Sequence, residues 1–326
     1  MKRKFSFQDV VPFISFIVIF LFFTITSYNG RTGTFRMLTP LNLNTILDHT
    51  MLTIVVACGA LFVVAQGSID MSVGVNLALS GVIAMWTAHA TGSPFLLIPV
   101  SLLVGLAVGI INGIIVSRFK VSSFMLTIAM LIGIRGLVNF IQTRIETQRL
   151  PDSLAFLDIP SVKVAVFLVI ILIMAYIFEF TKAGKYSRAI GENETAAKFV
   201  GIPVNRIKIT AFALSGLMAG AGAIFSLVTI GSTSQQMGVF LEMRVIIAIF
   251  LGGVLVTGGS SAKFYKILLG SFSIQIIISG LALMNRSDSH ISQSVEGVLL
   301  LLILLISILA GNRPNRAKEK DPSDDV

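Results

Sequence analysis

The residues that could do chemistry in this chain are few, and they stand where they are expensive. Asp70 interrupts an apolar sequence in Gln66-Gly67-Ser68-Ile69-Asp70-Met71-Ser72-Val73-Gly74; Arg135 lies deep within one apolar stretch, and Glu242 and Arg244 open another. Arg135 falls roughly 20 Å along its stretch at helical rise. An ionisable group at membrane depth costs a few kcal/mol unless it is paired or faces water, so each is a candidate contact for a polar solute. Each also has a plainer reading. Paired glycines and serines around Asp70 suggest a broken helix that its carboxylate caps. Arg135 could snorkel to the surface, and Glu242 with Arg244 could anchor a helix at the interface. Glu179 with Lys182 reads as an exposed pair at a helix end.

Catalytic patterns are largely missing. There is no Gly-x-x-x-x-Gly-Lys-Ser/Thr, no His-Glu-x-x-His and no Gly-x-Ser-x-Gly, and the three histidines, His49, His89 and His290, are far apart and near expected span ends. Phosphate chemistry must therefore come from a partner; the chain itself reads as no enzyme, with no metal site and no cofactor of its own. The single cysteine, Cys58, lies in an apolar run and reads as packing.

The elements that position these groups follow from composition. Hydrophobic residues make up 55% of the 326 positions and charged residues 13%, the balance of a polytopic membrane protein. The net charge of +9 is spread over loops and termini without interleaved aromatics, which argues against nucleic acid. Apolar segments long enough to cross a bilayer are expected at 10–28, 45–66, 71–90, 95–117, 122–143, 162–180, 206–230, 242–257, 263–284 and 293–310, about ten transmembrane helices in one domain over 1–326. The first, behind Lys2-Arg3-Lys4, reads as an uncleaved helix. Seventeen of the 25 basic residues then fall on one side, in 1–9, 118–121, 181–208, 258–266 and 311–326; the other side holds Arg31, Arg36, Arg144, Arg149, Lys163 and Arg286. That asymmetry places both termini in the cytoplasm. The charged tail 311–326 is expected to fray. Gly105, Gly109 and Gly113 at four-residue spacing, and Gly216 with Gly220, mark smooth faces for close helix packing.

One long polar break, 181–208, divides the chain. Within it Asn193 is a candidate N-cap, Glu194 and Lys198 are an i,i+4 pair, and Gly201 before Pro203 is a stop signal, so a short helix is expected over 194–200. Ala196, Phe199 and Val200 share one of its faces. They could form a knob for a groove in another protein, or the helix could lie in the membrane interface.

This break resembles the cytoplasmic coupling loop of the ribose-type ABC importer permeases, whose pattern is close to Gly-Arg-Tyr-x-x-Ala-x-Gly-Gly-Asn-Glu-x-Ala-Ala-Arg-x-Ser-Gly-Ile. Ser68 to Gly74 is similar to that family's Gly-Ile-Asp-Leu-Ser-Val-Gly, and Asn112-Gly113 with Arg118, Val121, Phe124, Thr127 and Arg135-Gly136 to its fourth-to-fifth-span block. The resemblance covers nearly the whole chain. It implies an all-α, type II-like importer permease in the bacterial inner membrane, with ATP bound by a separate ABC ATP-binding subunit and solute delivered by an extracytoplasmic binding protein. It assigns Gly191, Glu192, Asn193, Glu194, Ala196, Ala197, Phe199, Val200 and Gly201 to ATPase coupling, and adds Asn112 to Asp70, Arg135, Glu242 and Arg244 as translocation-path candidates. It also implies a second permease copy or a sister permease. Where the family commonly has Glu-Leu-Asp this chain has Glu242-Met243-Arg244; Gly252-Gly253-Val254, Gly258-Gly259-Ser260-Ser261 and Ser279 to Met284 depart as well. A reversed charge at Arg244 could be matched by a sister subunit, which suggests a heterodimer. The solute expected is small and polar, a sugar or sugar-like compound. An ion-coupled secondary transporter is the alternative, although few deep carboxylates are available to it.

Overall fold

The computed structural model describes residues 7–30, 33–145, 147–284, 294–302 and 305. Lys2-Arg3-Lys4, Arg31, Arg286, His290 and the tail 311–326 lie outside the described residues. The chain is an all-α bundle: α1 (Phe7–Thr26), α2 (Pro40–Ala65), α3 (Val73–Thr91), α4 (Leu97–Phe119), α5 (Ser123–Arg144), α6 (Pro160–Phe180), α7 (Lys182–Glu192), α8 (Glu194–Phe199), α9 (Val204–Ile230), α10 (Leu241–Leu251) and α11 (Phe264–Leu283). A two-stranded antiparallel hairpin, β1 (Tyr28–Asn29) with β2 (Thr34–Phe35), follows α1, and residues 294–302 are helical.

The helices α2, α3, α4, α5, α6, α9 and α11 are long and apolar enough to cross a membrane. The expected ten are not reached among the described residues, and the eighth expected span, 242–257, is corrected. It is the eleven-residue α10, which rises about 16 Å against a hydrocarbon core of roughly 30 Å. The apolar run continues past Leu251, but the helix does not. Gly253 turns into the left-handed region at φ +85°, its N–H reaching Phe250 O (2.8 Å) and that of Val254 reaching Ile249 O (3.3 Å) to close the helix, and the buried Lys266 ammonium donates to Gly253 O (2.8 Å) and Ser261 O (3.0 Å) of the turn that follows. Lys266 thus works inside the protein, although its place in the sequence reads as a loop charge.

Two helices form the axis. α2 and α9 are mostly buried, whereas α4, α5 and α6 leave most of their surfaces bare. The glycine faces meet as their spacing demands: a Cβ on Gly105 would strike Gly216 O and lie 2.8 Å from Gly220 N, and one on Gly113 would lie 2.8 Å from Ile209 Cα. Backbones this close leave no room for side chains, which is how helices associate where water exclusion offers little. Polar grips lock the register: Ser101 Oγ donates to Gly220 O (2.7 Å), and Asn76 Nδ2 to Gly105 O (3.1 Å). Cys58 is fully buried, as packing requires.

Candidate functional site

Two broken helices meet inside the bundle. α2 ends at Ala65 beside α7, where Gly191 abuts Ala65 O. The chain then turns back as a non-helical segment, with Gly67 at φ +71°, until α3 starts at Val73. Asp70 of this segment reaches Ser215, which lies eleven residues up α9 from Val204, about 16 Å along the axis and therefore near mid-depth. From the other direction, the chain after α9 descends to the same level before α10 begins: a Cβ on Gly74 would strike both Gly238 O and the Glu242 carboxylate. The N-termini of α3 and α10 thus face each other at the level of Asp70. Irregular backbone at such depth is tolerated only where protein or a wet cavity satisfies it.

At this junction the Asp70 carboxylate is fully engaged. Oδ1 accepts from Ser72 N (3.0 Å) and Ser72 Oγ (2.6 Å), and Oδ2 from Ser215 Oγ (2.8 Å). Asn112 Nδ2 donates to Ser72 Oγ (2.9 Å), while its Oδ1 is buried without a partner among the described residues. Ser123 Oγ takes Ile69 N–H (3.3 Å), so α5 also holds the segment. Two of these bonds are local, to Ser72 just before α3, and the third ties the segment to the middle of α9.

Glu242, 6% exposed, sits in the first turn of α10, where a carboxylate favours the helix dipole. Its Oε2 has no partner among the described residues, and the charges of Arg135 and Arg244 both reach it. Arg135 neither snorkels away nor hangs free: Nη1 donates to Met237 O (2.9 Å) and more weakly to Gln235 O (3.5 Å), steadying the descending segment. Arg244 Nε donates to Glu296 Oε1 (3.0 Å), and Glu296 is 3% exposed. The reversed charge thus finds its match within this chain. Glu296 was not singled out by the sequence, because fifty-odd residues separate it from Arg244 and no spacing rule connects them.

The expected helix over 194–200 is α8, six residues held by two caps. Asn193 Oδ1 accepts from Ala196 N (2.9 Å). At the other end Gly201, at φ +82°, lets its N–H reach Lys198 O (3.0 Å) and Ile202 N–H reach Ala197 O (3.0 Å), a Schellman closure. Glu194 binds Lys198 Nζ (2.6 Å) and Lys208 Nζ (2.8 Å), tying α8 to α9 and holding its carboxyl below the usual range. Phe199 is 87% and Val200 77% exposed. Ala196 is exposed beside them, whereas Ala197, of the same candidate set, faces inward onto Ile190 and Val204. The sequence did not anticipate α7 as a helix. Thr181 caps it through Ala183 N (3.3 Å), and its Glu192 carboxylate, held low by hydrogen bonds from Ser260, accepts Ser260 N–H at 2.6 Å. The Glu179–Lys182 pair is replaced by Glu179 with Arg188 (2.7 Å), Glu179 also accepting Phe264 N–H at the start of α11. His89 Nε2 lies 2.9 Å from Arg149 O, and His49 is exposed on α2. Among the described residues no group of three or more His, Cys, Asp or Glu is placed to hold a metal ion.

Residues 42–308 match the family described as branched-chain amino acid transport system / permease component. The ribose import permease protein of Haemophilus influenzae is 31% identical over 83% of this chain and 85% of its own length. The L-arabinose ABC transporter permease protein of Azospirillum brasilense is 34% identical, with 82% and 80% covered. The autoinducer 2 import system permease protein of Photorhabdus luminescens is 31% identical, with 80% of each covered. No solved structure matches the chain.

Proposed function

Because the chain belongs to the permease family that its residues 42–308 match, a family of ABC-importer membrane subunits, we propose that it carries a sugar or sugar-like solute inward across a bacterial inner membrane. The whole of 1–326 acts as one permease domain with both termini cytoplasmic, and 181–208 is its coupling loop. The observation that carries the reading is α8. A six-residue helix capped at both ends and pinned by Glu194 to α9, yet leaving Phe199 and Val200 bare, is built to be gripped. The two caps and the Glu194 anchor fix the direction in which Phe199 and Val200 are presented. An ATP-binding subunit supplies the groove and the hydrolysis, and a binding protein delivers solute at the far side. Gly191, Glu192, Asn193 and Gly201 shape the loop, and Ala196, Phe199 and Val200 enter the groove.

The path runs past the mid-depth junction, with Arg135 and Arg244 as partly exposed donors and Asp70, Asn112 and Glu242 holding the two broken helices in place. Closure of the ATPase pair shifts which side this junction opens to. A second permease lies against α5. Around Gly133 and Gly136 a Cβ would meet nothing within 4 Å, and the exposed Asn139 follows Gly136 by one turn, a polar group that suits another permease better than lipid. Glu296 supplies within the chain the match that a sister subunit was expected to give, so Arg244 no longer argues for a heterodimer over a symmetric pair.

The test is uptake by vesicles containing this chain with its ATP-binding subunit and binding protein. Vanadate should abolish it and a protonophore should not, and a cross-linker at Phe199→Cys should capture the ATP-binding subunit. Vanadate-resistant uptake that a protonophore collapses would establish the ion-coupled alternative instead.

A further inference from the structure

Gln66, the residue that closes α2, is buried at 6% exposure where α2, α7 and α9 converge. Its Nε2 donates to Ser187 Oγ of α7 (3.0 Å) and to Ile207 O of α9 (3.2 Å), while its Oε1 is buried with no partner among the described residues. An orphaned buried acceptor is a cost that an apolar side chain of the same length would avoid. Packing alone would be better served by methionine, so the amide is there for its two donors.

The surroundings show what those donors add. Gly191 of α7 abuts Ala65 O and lies near Gly259 N, and Gly258 abuts Val64 O. These are backbone surfaces in hard contact, which transmit a push strongly and resist being drawn apart only through undirected dispersion, weak for each atom pair. Hydrogen bonds transmit a pull. Such ties hold α7 on both sides here, Gln66 at the end of α2 to Ser187, and Glu192 Oε1 to Ser260 N–H (2.6 Å) in the turn beyond α10. Both lead to the same place, since Gln66 is four residues from Asp70, and the turn at 252–261 leads back along α10 to Glu242.

We infer that Gln66 is a positioning residue that ties α7 to the broken segment 66–72, so that outward as well as inward displacement of the coupling loop reaches the mid-depth junction. This inference rests on the ATP-coupled reading above. It is tested with the full complex in proteoliposomes, by measuring solute moved per ATP hydrolysed. Gln66→Met keeps length and volume but removes the donors. The complex should assemble and hydrolyse ATP within twofold of wild type, while solute moved per ATP falls at least fivefold. Ser187→Ala, a smaller change, should lower the ratio less and add nothing on top of Gln66→Met, as two ends of one tie must. An unchanged ratio in Gln66→Met overturns the inference, as does a parallel loss of transport and ATP hydrolysis. Should Gln66→Met fail to assemble, Ser187→Ala decides alone, and an unchanged ratio there overturns it equally. Absence of ATP-dependent uptake in the wild-type vesicles would count against the proposed function and not against the role of Gln66.

Discussion

Replacing Asp70 separates capping from charge. The carboxylate receives three buried hydrogen bonds, from Ser72 N, Ser72 Oγ and Ser215 Oγ, at 3.0, 2.6 and 2.8 Å. In Asp70→Ala the Ser215 hydroxyl can rotate toward a carbonyl of its own turn of α9, and the Ser72 hydroxyl keeps the bond from Asn112 Nδ2, but the Ser72 N–H cannot turn. An orphaned buried donor costs about 1–3 kcal/mol, and losing charge-assisted bonds adds to it, so the net cost is about 2–4 kcal/mol after relief from a buried charge is allowed for. At about 2–4 °C per kcal/mol, the melting temperature should fall roughly 4–16 °C. Asp70→Asn keeps Oδ1 as acceptor for both Ser72 groups and needs only Ser215 to reverse its hydroxyl, so it should lose about 1 kcal/mol or less. The readout is built in: the single tryptophan, Trp86, lies on α3, the helix that begins three residues after Asp70. Its fluorescence on heating in detergent follows the affected element directly. The reasoning fails if Asp70→Ala melts within 2 °C of wild type, or if Asp70→Asn falls as far as Asp70→Ala. Transport by the stable Asn variant then reports on the charge alone.

Gly105→Ala places a methyl group against the backbone of Gly216 and Gly220, where no side chain can yield, and overpacking of this kind should cost about 1–3 kcal/mol; an unchanged thermal midpoint would show that α4 and α9 can part freely. Arg244→Met leaves Glu296 buried and uncompensated at about 3–5 kcal/mol, whereas Arg244→Met with Glu296→Met should recover most of the loss, and a double-mutant cycle without coupling would refute the pairing. Glu194 is held below its ordinary value of 4.5 by Lys198 and Lys208. A depressed carboxyl contributes stability above its unfolded value and loses it as pH falls through the folded one. A spin label at the exposed Thr195 should therefore keep its mobility from neutral pH down to 4.5 and loosen only below; loosening that begins near neutral pH would contradict the assignment.

Much of the architecture was legible because a membrane restricts the choices. Seven apolar stretches became spanning helices since lipid forces backbone polar groups to pair internally, and hydropathy records that requirement directly. The glycine faces were legible for a similar reason: a four-residue interval is a property of one helix, whatever it packs against. The α8 caps, Asn193 and Gly201, are local too, each reaching no more than three residues. The eighth span misled because its apolar run does extend to 256, yet Gly253 at φ +85° closes the helix locally, its N–H on Phe250 O and that of Val254 on Ile249 O, and Lys266 then folds back onto the turn beyond.

By itself, the order of residues determined which stretches are apolar enough to cross a membrane, where the one polar break falls and how its short helix is capped, since each depends on near neighbours in the chain. Tertiary structure alone decided that the Asp70 segment and the start of α10 meet at one depth, that Glu296 answers Arg244, and that Gln66 joins α7 to α2. Those pairings span 52 to 168 residues. Electrostatic and hydrogen-bond partners at such separations are chosen by how the helices pack, and no periodicity along the chain encodes them.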